Sequence, residues 1–88
     1  MSEAGIERRL ESYVKSVERV LRELKLSTLP KSVSKEEVES LLQHTARYLE
    51  DSKYYWGRGD RETALSSICY CEGLLDALRL LGLVEFSW

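Results

Sequence analysis

The chain has 88 residues, a length typical of one domain, and we interpret residues 1–88 as a single domain. Its composition is 43% hydrophobic and 32% charged, which is ordinary for a globular protein and excludes a disordered tail. The 13 Lys and Arg residues against 15 Asp and Glu residues give a net charge of -2. A dedicated nucleic-acid binder would carry a basic excess, so we expect no nucleic-acid partner.

The expected compartment follows from the leader region and the cysteines. Met1–Ile6 is polar and no apolar stretch of signal-peptide type follows it, and no segment is apolar enough to span a membrane. Cys69 and Cys71 are two residues apart, so on a helix they point about 200° away from each other and cannot form a disulfide. These features predict a reducing, cytoplasmic location without a membrane partner.

The first predicted element is a helix over residues 3–26. Its apolar residues recur at steps of three and four, which is typical of one buried helical stripe. The stripe comprises Ile6, Leu10, Tyr13, Val14, Val17, Val20, Leu21 and Leu24. Pro30 lies in the following loop, where it disfavours helix at the preceding residue.

The second predicted element is a helix over residues 35–57. Ser34 and Glu37 form the sequence signature of a capping box at its start, and Gly57 and Gly59 mark its end. The predicted buried stripe comprises Val38, Leu41, Leu42, Thr45, Tyr48, Leu49, Ser52, Tyr55 and Trp56. His44 lies about opposite this stripe, so we expect it at a solvated position.

The third predicted element is a helix over residues 61–81, with Asp60 as its N-cap and Gly82 as its stop. Its stripe comprises Ala64, Leu65, Ile68, Cys71, Leu74, Leu75, Leu78 and Leu81. Residues 83–88 form a short apolar tail, and no strand-like alternation competes with the three stripes. Short connections make sequential helices antiparallel, so the sequence predicts an all-α, up-down-up three-helix bundle.

The second half of the chain carries an ordered set of motifs. It contains the run Tyr48-Leu49-Glu50-Asp51-Ser52-Lys53-Tyr54-Tyr55, then Gly59-Asp60, Ala64-Leu65, Tyr70-Cys71-Glu72-Gly73-Leu74-Leu75-Asp76-Ala77 and Leu81-Gly82. This ordering resembles the archaeal domain-of-unknown-function family 357 (DUF357) over roughly residues 34–84. The resemblance implies a three-helix bundle in an archaeal cytoplasm, sometimes attached to nucleotidyltransferase-like domains. It implies no activity.

Glu72 and Asp76 are the first candidate functional pair. At positions i and i+4 they share one helical face, where two carboxylates can share a proton or hold a divalent cation. The structural interpretation, which we favour, is that they bond Arg79, a tyrosine hydroxyl or a loop backbone. A metal site needs more ligands, and His44 is the one histidine. We find no catalytic constellation or phosphate-binding loop, and expect no cofactor.

Aromatic residues supply the candidate partner contacts. Tyr54, Tyr55 and Trp56 spread over about 200° of a helix, so they cannot all face one core. Tyr55 and Trp56 fit the stripe, whereas Tyr54 falls outside it and either meets a partner or lies across its own helix. In the tail, Val84, Phe86 and Trp88 alternate, so an extended segment can lay them in one row.

That row can dock on its own bundle or on a second copy of the chain. We expect a homodimer to which the tail and the patch at residues 54–56 contribute. The sequence therefore favours a non-enzymatic interaction module with a protein partner, itself or another, and no small-molecule substrate. One alternative is an accessory or regulatory domain of a nucleotidyltransferase-like enzyme. A third is a carboxylate metal site with hydrolytic activity.

Overall fold

The computed structural model describes residues 3–88 and contains three long helices. They are α1 (Glu3–Glu23), α2 (Lys35–Gly57) and α3 (Arg61–Leu80). The start of α1 lies beside the end of α2, where the Trp56 indole donates a hydrogen bond to Glu7. The three helices pack pairwise as an up-down-up bundle, so the predicted all-α architecture is confirmed.

Local signals set the ends of α2 and α3. Ser34 Oγ accepts a hydrogen bond of 3.0 Å from the Glu37 backbone, and the Ser34 backbone donates one of 2.9 Å to the Glu37 carboxylate. Asp60 Oδ1 accepts from the Thr63 backbone at 3.1 Å. Gly59 has a φ of +82°, a left-handed conformation that glycine adopts without a side-chain clash. The predicted caps of both helices are therefore confirmed.

The main core lies between the three helices and follows the predicted stripes. Its buried members are Leu10, Val14, Val17, Val20, Leu49, Ala64, Ile68, Cys71 and Leu75. Two buried hydroxyls are satisfied by backbone carbonyls: Thr45 donates to Leu41 at 2.8 Å and Ser52 donates to Ala64 at 2.7 Å. The Ser52 bond crosses from α2 to α3 and so fixes the relative position of the two helices.

A second cluster closes the end of the bundle where α1 and α3 terminate, and we call it the end cluster. Val38, Leu78 and Val84 are its buried members. Leu24, Leu26, Leu29, Val33, Leu41, Leu42, Leu83 and Phe86 pack around them. Several of these residues belong to no helix, so the three helical stripes alone do not complete the hydrophobic interior.

Two short strands bring the tail to this cluster and correct two predictions. Strand β1 (Lys25–Leu26) pairs antiparallel with β2 (Val84–Glu85), and the Ser27 backbone donates to the Leu83 carbonyl at 3.0 Å. The first helix therefore ends at Glu23, since the residues that follow it are taken up by this pairing. The prediction that no strand competes with the helices is wrong at this point.

The third helix also ends one residue earlier than predicted. It stops at Leu80, and Gly82, with a φ of +75°, reverses the chain toward β1. Leu81 consequently leaves the predicted stripe and is 73% exposed, beside Leu80 at 71%. Within residues 3–88 no helix is both long and apolar enough to cross a bilayer.

Candidate functional site

The acidic pair of α3 lies along a groove between α1 and α3. The groove has a volume of about 420 Å³ and is lined by Ser12, Tyr13, Ser16, Glu72, Gly73, Asp76 and Trp88. Gly73 keeps its wall low, and a Cβ placed there would meet nothing within 4 Å. Both predicted carboxylates therefore border one depression, and the tail reaches it through Trp88.

Asp76 is held by two donors. Arg79 donates to Asp76 Oδ1 from Nη2 at 2.7 Å and from Nε at 3.2 Å, and the Trp88 indole donates to the same oxygen at 3.2 Å. These hydrogen bonds, the Arg79 bond first, hold the pKa of Asp76 below its ordinary value. The arrangement matches the structural interpretation of this carboxylate, with Arg79 as its partner.

Glu72 lies in a different environment one turn earlier on α3. It is half-buried, and burial raises the pKa of its carboxyl because the charged form loses solvation. The pKa values of the two carboxyls are thus shifted in opposite directions: Asp76 is stabilised as an anion, and Glu72 is not.

A metal centre at this pair would require further ligands. Across residues 3–88 no three side chains of His, Cys, Asp or Glu come together in a metal-binding group. His44 does not line the groove, because it lies on α2 and contacts Tyr70 instead. The structure therefore does not bring the three predicted ligands together.

His44 belongs to an aromatic cluster that the sequence interpretation missed. Its Nε2 lies 3.1 Å from the Tyr70 hydroxyl, and its ring lies 4.9 Å from that of Tyr48. The rings of Tyr48 and Tyr70 are 4.6 Å apart in an edge-to-face arrangement. His44 is half-buried rather than solvated, because Tyr70 of α3 packs over it. The spacing of four residues between His44 and Tyr48 was the one local signal of this cluster.

The three aromatic residues at positions 54–56 face different directions, as their helical spacing predicts. Tyr55 and Trp56 pack against the main core, and Trp56 Nε1 donates to Glu7 at 2.7 Å. Tyr54 is 57% exposed and lies across its own helix, where Arg58 donates to its hydroxyl at 3.0 Å. The Arg58 guanidinium also lies 5.6 Å from the Tyr54 ring centre. Of the three, Tyr54 presents the large surface to solvent.

The tail packs on the bundle of its own chain, one of the two placements that the sequence allows, and the homodimer stays a prediction. Val84 is buried, Phe86 packs against both clusters, and Trp88 is 45% exposed beside Asp76. Arg19 donates to the Ser87 carbonyl at 3.1 Å and to the Trp88 carbonyl. Residues 54–56 lie beside the start of α1, at the end of the bundle away from the end cluster, so the tail and these residues are separate surfaces of one chain.

The two cysteines lie in different environments, and only Cys71 belongs to the main core. Both are free thiols, with Cys69 exposed and Cys71 buried. Cys71 Sγ donates to the Thr45 carbonyl at 3.4 Å, and burial raises the pKa of its thiol to about 11. A thiol that stays protonated at neutral pH is a poor nucleophile.

Comparison with known proteins gives a family without an assigned activity. The family model described as Protein of unknown function (DUF357) matches residues 12–84, a range that takes in much of α1 as well as α2 and α3. No curated protein and no solved structure matches the chain. Since the match spans most of the 88 residues, the chain belongs to the DUF357 family of proteins of unknown function.

Proposed function

We propose that this protein is a non-enzymatic interaction module that binds another protein through one aromatic surface. We call it the aromatic surface and define it by residues of α2 and the facing part of α3. It comprises His44, Arg47, Tyr48, Tyr54, Arg58 and Tyr70. The observation that carries the proposal is the exposure of two tyrosines, Tyr54 and Tyr70, on the outside of the bundle, with Arg58 beside Tyr54.

Residue type supports a protein partner. Tyr and Arg are over-represented among the side chains that contribute most to protein–protein binding. Arg47 of α2 and Arg58, which follows α2, are accompanied by Glu50 and Asp51, so the charge of the surface is mixed rather than basic. A mixed charge suits a protein partner better than a phosphate backbone.

Pre-organisation supports the same function. His44, Tyr48 and Tyr70 already pack on one another in the free chain, and Arg58 already holds Tyr54. Side chains that are ordered before binding lose less conformational entropy when a partner arrives. A hollow of about 610 Å³ lies beside them on α2, lined by His44, Ala46, Arg47, Tyr48, Glu50 and Asp51. Such a hollow can receive a side chain of the partner.

The state of the chemically suggestive groups agrees with a binding role. Asp76 is engaged by Arg79 and Trp88, and the pKa of the Cys71 thiol is too high for a nucleophile. Two free cysteines further support a cytoplasmic location, where thiols stay reduced.

Affinity capture with matched variants tests the proposal. We expect the wild-type chain to retain a protein that the Tyr54→Ala/Tyr70→Ala double variant loses. A control pair on the opposite helix, Glu11→Ala/Lys15→Ala, removes an exposed ion pair of α1 and should retain it. With the purified partner, the tyrosine variant should bind at least about 30-fold more weakly, the effect of losing a binding hot spot of about 2 kcal/mol.

The identity of the captured protein distinguishes the candidate functions. A nucleotidyltransferase-like enzyme would support the alternative in which this chain is an accessory or regulatory domain. Equal capture by the wild type and both variants would contradict the assignment of the aromatic surface.

A further inference from the structure

The C-terminal segment at residues 83–88 is attached to the bundle by contacts that a second copy of the chain can supply equally well. We propose that two copies exchange these segments and form a homodimer in which each tail docks on the partner's bundle. This goes beyond the proposed function, because it uses the end cluster and the α1–α3 groove and leaves the aromatic surface free.

Every attachment of the segment is a contact between the tail and the bundle. The β1–β2 pairing joins Leu26 to Val84, and the Asp76 carboxylate accepts from the Trp88 indole. Arg19 holds the carbonyls of the last two residues. Because an identical chain presents the same β1 strand, groove and arginine, exchange preserves all of these contacts. Its cost is the lost freedom of bringing two chains together.

Gly82 provides the hinge. Its φ of +75° reverses the chain after α3, and the turn is held by backbone bonds from Gly82 to the Arg79 carbonyl and from Leu83 to the Leu78 carbonyl, both 3.0 Å. Residues with a side chain adopt this conformation at a cost. If the chain instead continues α3 through this position, the segment is carried away from its own bundle and toward a second one.

Leu80 and Leu81 supply an independent reason for exchange. They are neighbouring leucines at 71% and 73% exposure, directly before the hinge, and they belong to neither hydrophobic cluster. Leu81 and Gly82 separate α3 from the segment that crosses over. The α3 ends of two exchanged copies must therefore lie within a few residues' reach of each other. The leucines of both copies then meet and leave water, which the closed monomer does not allow.

Concentration decides between the two forms. A tail on a short tether competes for its own groove at an effective concentration in the millimolar range. The closed monomer therefore dominates in dilute solution, and exchange grows with protein concentration or when the hinge is straightened.

A cross-strand disulfide reads out which bundle each tail occupies. Lys25 and Glu85 are Cα partners in the β1–β2 register, and both side chains are exposed. The Lys25→Cys/Glu85→Cys variant, made with Cys69→Ala, is incubated from low micromolar to about 1 mM, then oxidised and separated on a non-reducing gel. A closed chain gives an internal disulfide and runs as a monomer. An exchanged pair gives two interchain disulfides and runs as a dimer.

We expect the dimer band to grow with concentration, to grow further with Gly82→Ala, and to shrink with Leu80→Ser/Leu81→Ser. Gly57→Ala is the matched glycine control and should change nothing, since it lies at the end of α2, outside the groove, with open space around its Cβ position. Monomer bands throughout, including in the Gly82→Ala variant, would overturn the proposal. A dimeric mass by light scattering without interchain disulfides would also overturn it, because that dimer forms without exchange.

If the cysteine variant fails to fold, sedimentation of the otherwise unmodified chain decides the question. The proposal then requires a mass that rises in Gly82→Ala and falls in Leu80→Ser/Leu81→Ser. A monomeric mass in all variants contradicts it.

Discussion

The main core and the end cluster are built from different kinds of segment. The main core takes its buried residues from the regular stripes of α1, α2 and α3. The end cluster instead combines Val38 of α2 and Leu78 of α3 with Val84 of a two-residue strand. Helical periodicity therefore builds the middle of this protein, whereas non-helical chain from distant parts of the sequence closes its end.

This difference has an energetic consequence. Residues of the main core are held by long helices on all sides, and Leu75 is fully buried among them. The end cluster depends on the tail, which is held by one short ladder and a few side-chain bonds. We expect the tail and strand β1 to open more readily than the helices, because segments with few buried contacts unfold locally at lower free energy.

The largest effect is expected from a cavity in the main core. Leu75→Ala should lower the free energy of unfolding by about 2–5 kcal/mol, since it removes buried apolar atoms and leaves a cavity. Denaturant unfolding measures the loss. Leu80→Ala is the matched control on α3, and as an exposed leucine in dilute solution it should change stability by less than about 0.5 kcal/mol. An unchanged midpoint for Leu75→Ala would show that the third-helix stripe is wrongly phased.

The next effect tests the end cluster. Val84→Ala removes two buried carbon groups at about 0.8 kcal/mol each and leaves a small cavity, so we expect a loss of roughly 1.5–2.5 kcal/mol. Glu85→Ala, at the exposed neighbour on the same strand, is the control. Hydrogen exchange sharpens the comparison: amides of the β1–β2 ladder should lose protection while those of α2 and α3 keep it. Equal loss in all elements would mean that the two clusters unfold as one unit.

A smaller effect is expected at low pH, where protonation of Asp76 weakens its contact with the tail. The Arg79 and Trp88 hydrogen bonds lower the pKa of Asp76. This carboxylate therefore stabilises the docked tail above the ordinary Asp pKa of about 3.9, and the contribution is lost as pH falls through the lowered value in the folded chain. The indole N–H signal of Trp88 in NMR spectra should shift over this range. In Asp76→Asn that titration should disappear, and its persistence would contradict the role of Asp76.

The smallest effect is expected at Glu72, where the pH dependence of stability has the opposite sign. Burial raises the pKa of this carboxyl, so the folded chain retains a proton that the unfolded chain has released, and stability declines as pH rises above the ordinary Glu value of about 4.3. Glu72→Gln should therefore stabilise the protein at pH 7 by a few tenths of a kcal/mol, because solvent screens a half-buried group. Asp51→Asn, at an exposed position in the middle of α2, is the control. Destabilisation by Glu72→Gln would indicate a bonding role that burial does not explain.

The sequence by itself determined the helices, their order and most of the main core. The signals for these features act over a few residues. Ser34 caps a backbone donor three positions away, Gly59 ends a turn, and residues three or four apart share a helical face. The bounds of α2 could be predicted without any knowledge of the rest of the chain.

The candidate sites were predicted less completely. The spacing of Glu72 and Asp76 placed both on one face of α3, and that of residues 54–56 separated Tyr54 from its two neighbours. The spacing of residues did not indicate that Asp76 would bind the Trp88 indole, or that Tyr70 would cover His44. Each of those contacts joins groups that no periodic pattern relates.

Tertiary structure alone decided where α1 ends and where the tail lies. Lys25 and Leu26 continue a helical pattern, yet they form a strand because Val84 and Glu85 offer backbone partners from the other end of the chain. Burial of Val84 against Val38 and Leu78 adds hydrophobic free energy that further helix at residues 24–26 would forgo. A local propensity of a few tenths of a kcal/mol per residue cannot compete with that burial.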